Sequence, residues 1–151
     1  MNFKRLTDRS EIEIADYVRT YVESVGKDNV QLYIGCDSQN KGDNTIYATT
    51  VVLHIGNTGC HVLYKRETFQ RIFDFWARLW GEVERSVEVA LHLQQNGIIV
   101  DNIDLDLNAD PTTRSNKLVQ AAKGYVESLG IKARIKPNIL PAISAADNIV
   151  K

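Results

Sequence analysis

The sequence predicts an α/β fold: a mixed five-stranded sheet, three antiparallel strands followed by parallel additions, with helices packed on it and one further helix ahead of it. Three observations lead there. Strand-like runs recur three times between residues 30 and 66, the first alternating with a period of two, separated only by short turn-forming stretches. A long segment follows in which apolar residues recur three and four apart. Strand and helix patterns then alternate to the end, as parallel strands joined by helical crossovers require.

Ser10-Glu11-Ile12-Glu13 has the form of a capping box, and Ile14, Tyr17, Val18, Tyr21, Val22 and Val25 continue at helical spacing up to Gly26. This predicts a leading amphipathic helix. Strands are expected over residues 30–36, 46–55 and 61–66, with Asn40-Lys41-Gly42-Asp43-Asn44 and Gly56-Asn57-Thr58-Gly59 as the turns of an antiparallel meander. Phe69, Ile72, Phe73, Trp76, Leu79, Trp80, Val83, Val87, Ala90 and Leu91 place one long helix over residues 68–96, stopped by Gly97. A fourth strand over residues 98–107 puts Ile103, Leu105 and Leu107 on one face and Asp104, Asp106 and Asn108 on the other. Asp110 as cap and Pro111 at the first position open a helix expected to reach Leu129, ahead of Gly130. The fifth strand, residues 131–136, alternates Ile131, Ala133 and Ile135 with Lys132, Arg134 and Lys136. Residues 137–141 are expected as a loop and 142–150 as a short last helix.

At 151 residues, with 44% apolar content, the chain fits a single domain, residues 1–151, in which residues 1–26 form a helical extension. A formal charge of -1 excludes strong nonspecific attraction to nucleic acid through overall charge and leaves a local basic face open. Two cysteines, Cys36 and Cys60, cannot make a disulfide framework, and three scattered histidines lack zinc-ligand spacing. No stretch has the roughly 20 apolar residues of a membrane span, nor the first residues a signal-peptide core, so a cytoplasmic protein without a membrane partner is expected.

Asp37, Glu84, Asp106 and Asp147 lie on four different predicted elements, and carboxylates delivered from separate elements can converge on a divalent cation. Asp37 closes the strand run Val30-Gln31-Leu32-Tyr33-Ile34-Gly35-Cys36, a position that turn chemistry through Asp37-Ser38-Gln39-Asn40 also explains. Read alone, Glu84 is equally a surface helix residue beside Arg85, and Asp147 a solvated helix charge.

Ile34-Gly35-Cys36-Asp37-Ser38-Gln39, His61 to Glu67, Leu79-Trp80-Gly81-Glu82-Val83-Glu84, Asp106-Leu107-Asn108, Ser115-Asn116-Lys117 and Ala145-Ala146-Asp147 together resemble the bacterial YkuK-type family of the ribonuclease H-like superfamily. The likeness runs from about Val30 to the end. It implies a ribonuclease H-like domain with catalytic, metal-binding acids at Asp37, Glu84, Asp106 and Asp147 and two ions of Mg²⁺ or Mn²⁺ about 4 Å apart. Asp37 would bridge the ions, Asp106 and Glu84 completing one shell and Asp147 the other. Glu84 is chosen over Glu82 and Glu88 because it precedes Asp106 by 22 residues, a separation typical of the superfamily. The implied activity is metal-dependent hydrolysis of phosphodiester bonds in RNA, RNA–DNA hybrid or structured DNA.

Ser38, Gln39, Lys65, Asn108, Asn116 and Lys117 are the candidate substrate contacts, and Arg114, Lys117, Lys123, Lys132, Arg134 and Lys136 a basic surface for a phosphate backbone. Lysines that keep an edge strand soluble explain that surface equally well. Trp76 and Trp80 could stack bases, but their place in the apolar stripe favours the core. Asp104 shares a face with Asp106, as an extra ligand or a solvated charge. The competing class is a noncatalytic nucleic-acid-binding or protein-interaction module on the same fold.

Overall fold

The computed structural model describes residues 1–56, 58–136 and 138–151. A seven-stranded sheet carries helices on both faces. Its strands are β1 (Asn2–Arg5), β2 (Glu11–Glu13), β3 (Val30–Lys41), β4 (Asn44–Ile55), β5 (Cys60–Gln70), β6 (Asn102–Asn108) and β7 (Lys132–Lys136), in the order β2-β1-β5-β4-β3-β6-β7. The five expected strands are present, β3, β4 and β5 antiparallel and β6 and β7 added in parallel. Two short strands ahead of them extend the sheet beyond β5.

Those extra strands correct the reading of the first residues. Ser10 does not cap a helix: its N–H and hydroxyl both donate to Asp8 Oδ1, and Glu11–Glu13 pair with β1 instead. Helix α1 (Ile14–Val25) is capped by Glu13, whose carboxylate accepts from Asp16 N at 2.7 Å.

The meander is longer than its apolar runs. Strands β3 and β4 pair over their whole length to a two-residue turn, Gly42 and Asp43, with Gly42 at positive φ. Strand β4 then needs a partner down to Asn44, so Thr68, Phe69 and Gln70 remain in β5 and the following helix starts seven residues later than residue 68. Helix α2 (Phe75–Gln95) is capped by Asp74, which accepts from Trp76 N. Asp110 likewise caps a turn at Thr112 rather than a helix; a 3-10 turn, Arg114–Leu118, precedes α3 (Val119–Ser128). Helix α4 (Pro141–Val150) takes Pro141 from the expected loop as its first residue. Asn57 and Pro137, each in an expected loop, lie outside the described residues. No described helix is long and apolar enough to cross a membrane.

Period-two alternation sorts β3 and β6 between two layers. Leu32, Ile34, Ile103, Leu105 and Leu107 join residues of α1, α2 and α3 in the main core, each side chain contributing about 1.5–3 kcal/mol by leaving water. Tyr33 packs on the other face beside Ala142 of α4. Close approach of α4 depends on Gly35: a Cβ there would sit 2.8 Å from Ala142 Cβ and 3.1 Å from Ile143 Cδ1.

Candidate active site

Strands β3 and β6 pair only between Tyr33–Gly35 and Asn102–Asp104. Beyond that point they part, and a cleft of about 560 Å³ opens where the continuing ends carry Asp37 and Asp106. The alternation that buries Ile34, Cys36, Leu105 and Leu107 turns both aspartates toward the α4 layer, where Asp147 joins them from the last turns of α4. A fourth carboxylate comes from the opposite layer. Glu82 of α2 reaches the same cleft through the gap, 6% exposed, with Ser38 Oγ donating to its Oε2 at 2.6 Å. Arg78 Nη1, one turn earlier on α2, donates to Ser38 Oγ at 2.8 Å and fixes the hydroxyl.

Negative charge in so little water is costly, and the groups respond. Burial first, then the Asp106 charge and a hydrogen bond with Asp147, push the Asp37 carboxyl from its ordinary 3.8 up to about 6. Burial holds Glu82 well above the usual carboxylate range, with Asp37 and Asp106 adding to the effect. Asp147 goes the other way because Lys151 Nζ, 2.9 Å from its Oδ2, stabilises the anion. Lys136 Nζ lies 2.7 Å from Asp106 Oδ1, and this contact raises the lysine's own value.

Glu84 does not line this cleft. It is exposed, two positions and so about 200° around α2 from Glu82, and Glu88 is exposed as well. Asp104 is not solvated: fully buried, it accepts from Arg134 Nε at 2.9 Å on Oδ1, which Nη2 approaches to 2.8 Å as an ion pair, and from Ala142 N at 3.1 Å on Oδ2. It thereby ties the first turn of α4 to β6 and places the helix that carries Asp147.

Of the expected substrate contacts, Gln39 and Asn108 line the cleft, and Ser38 does so while committed to Glu82. Asn116 supports a turn through Ala109 O at 2.8 Å. Lys65 lines a separate hollow beside β1 and pairs with Glu67. Lys117 is exposed, its Nζ 5.8 Å from the Trp76 ring. Trp80 stacks on Tyr125, so the two tryptophans serve different surroundings.

The family model described as "Ribonuclease H-like" matches residues 13–151. The chain belongs to the ribonuclease H-like family. It is also 28% identical over 155 aligned positions to the uncharacterized protein YkuK of Bacillus subtilis (strain 168), covering 92% of this chain and 90% of that relative. No solved structure matches it. The mixed α/β sheet is consistent with a ribonuclease H-like fold, with seven strands where five were expected.

A ribonuclease H-like domain suggests a function related to nucleic acid, and such folds often use divalent metals. Among the described residues, no three His, Cys, Asp or Glu side chains are grouped closely enough to hold a metal ion as arranged. Two of the cleft carboxylates are instead paired with Lys136 and Lys151. The donor set nonetheless suits a hard cation. Four carboxylates face one cleft, all oxygen donors.

Sequence reasoning weighs Glu82 but prefers Glu84, and it passes over Arg78 and Phe75; Glu82, Arg78 and Phe75 all line the cleft of this ribonuclease H-like chain. A signal for Glu82 was present, since Leu79, Val83, Ser86 and Val87 are its helical neighbours on the buried side. A carboxylate inside that stripe is the anomaly; one outside it is ordinary.

Proposed function

We propose that the chain is a metal-dependent nuclease that hydrolyses phosphodiester bonds in RNA or DNA, with Asp37, Asp106 and Asp147 as metal-binding acids and Glu82 replacing Glu84 as the fourth. The observation that carries this reading is the convergence of these four carboxylates, from two strands and two helices, on one open cleft. The Asp106 charge and a hydrogen bond with Asp147 both act on Asp37, which stands between the other two aspartates.

When bound, Mg²⁺ or Mn²⁺ supplies Lewis-acid stabilisation of the phosphate oxygens and an attacking water of lowered pKa. The chain's own residues prepare that chemistry. Ser38 and Arg78 orient Glu82, so its oxygens are fixed before a cation arrives. Asp104 and Arg134 hold α4 in place and with it Asp147. Arg78, Arg114 and Lys136 line the cleft and offset phosphate charge.

The test is incubation of labelled single- and double-stranded RNA and DNA with Mg²⁺ or Mn²⁺, comparing the parent with Asp37→Asn and Asp106→Asn. Cleavage by the parent alone supports the reading; equal cleavage, or none across the panel, overturns it. The alternative is a noncatalytic nucleic-acid-binding module, favoured by the Lys136–Asp106 and Lys151–Asp147 pairs, which offset two acids without any metal. Nucleic-acid binding that metal leaves unchanged, with no Mn²⁺ heat lost on neutralising Asp106, would select it.

A further inference from the structure

One wall of the acidic cleft is cationic and aromatic. Phe75 and Arg114 line it, the Arg114 guanidinium lying 3.8 Å from the Phe75 ring centroid and 5.7 Å from that of Trp76. Outside the cleft, further cation–aromatic pairs stand on the same two segments. Lys117 Nζ stands 5.8 Å from Trp76, and Arg71 lies 5.4 Å from Phe73, whose ring is 85% exposed. These residues come from the segment leading into α2 and from the 3-10 turn before α3, so two separate parts of the chain build one rim.

Two features of this rim call for a ligand. Among the described residues, none of Arg71, Arg114 and Lys117 takes part in an ion pair. A Phe ring left in water beside an arginine costs solvation that no fold contact explains, since Phe73 packs against nothing in the core. Unneutralised cations suit phosphates, while open aromatic faces and guanidinium planes suit bases. Paired bases hide their faces in a stack; unpaired bases expose them.

We infer that this rim is a track for a single strand: it seats unpaired nucleotides, bases on Phe73, Trp76 and the Arg114 plane, phosphates on Arg71 and Lys117, and leads them into the acidic cleft. The substrate of the proposed nuclease is then a single strand or an unpaired end; this part rests on the nuclease reading, whereas strand binding does not.

The experiment uses the full chain carrying Asp37→Asn, in EDTA, so that binding is read without cleavage. Labelled oligodeoxythymidylate, oligoriboadenylate and a blunt DNA duplex of equal length are titrated at low salt, following anisotropy and tryptophan emission. Single strands are expected to bind at least about ten-fold more tightly than the duplex, with quenched emission, and Phe73→Ala or Arg114→Gln to weaken them about five-fold or more. Phe73 is exposed, so its removal leaves the fold intact, which circular dichroism checks. Equal binding of duplex and single strand, or unchanged binding by both variants, overturns the inference. Strand binding that depends on Phe73 without any metal-dependent cleavage by the parent would overturn the nuclease reading alone. Cleavage by the parent with binding indifferent to both variants would overturn this inference alone.

Discussion

Ser38 and Glu82, on a strand and on the helix packed across it, are joined by a 2.6 Å hydrogen bond at the floor of the cleft. Ser38 is itself held by Arg78, so two hydrogen bonds in series orient Glu82. Glu82→Gln is expected to abolish metal-dependent cleavage and to weaken Mn²⁺ binding at least about ten-fold, within the range for lost metal-site contacts. Glu84→Gln should leave both unchanged. Isothermal titration with Mn²⁺ and a cleavage assay on the two variants decide the matter.

The raised value of Asp37 gives stability a pH dependence of definite sign. Its folded value, about 6, is above the ordinary 3.8, so the favourable contribution of the neutral form is complete below about pH 4 and lost as pH rises through about 6. Metal-free Asp37→Asn should therefore be more stable than the parent at pH 8 by about 1–2 kcal/mol, a figure reduced from the full shift because the carboxyl retains solvent. The gain should vanish near pH 4. Thermal melts in EDTA at pH 4, 6 and 8 measure it, and Mg²⁺ is expected to raise the melting temperature of the parent only.

Asp104 is buried with Arg134 on one oxygen and the Ala142 N–H on the other. Removing one partner of such a pair strands the other, so Asp104→Ala is expected to cost about 3–5 kcal/mol in denaturant unfolding. A second variant separates position from stability. Asp104→Asn keeps the acceptor for Ala142 N and loses the charge, so its Mn²⁺ affinity should fall less than that of Asp104→Ala.

Gly35 is where strand and last helix come nearest. A methyl group there meets Ala142 from 2.8 Å, with that residue's own backbone carbon 3.1 Å away, so α4 must move. Gly35→Ala is expected to destabilise by about 1–3 kcal/mol, as overpacking does, and to lower Mn²⁺ affinity through displaced Asp147. Gly35→Ala with Ala142→Gly should recover part of both losses; unchanged Mn²⁺ affinity in the single variant would show that α4 placement does not govern the site.

What the sequence disclosed was local. The period-two runs of β3 and β6 and the periodic body of α2 announce themselves because burial on one face acts within a few residues. Residues 68–73 misled because Phe69, Ile72 and Phe73 have helical spacing while the length of β4 demands a strand partner, a requirement that comes from another part of the chain. Ser10 misled for a similar reason, its capping pattern yielding to pairing with β1. In the cleft, Asp37 and Asp106, expected at strand ends, and Asp147, expected on the last helix, come together. Glu84 was chosen by chain separation, whereas the helical stripe through Leu79, Val83 and Ser86 selects Glu82. Ion pairs such as Lys136 with Asp106 depend on neighbouring strands and leave no periodic trace.

The early parting of β3 from β6 has a consequence for when the protein becomes competent. An unbroken sheet is a wall, and acids on its two sides never meet; here Glu82 from the α2 layer reaches the three aspartates of the α4 side where the strands part. On the proposed reading, a chain lacking either docked α2 or docked α4 would present fewer than four cleft acids and would stay inert until folding is finished.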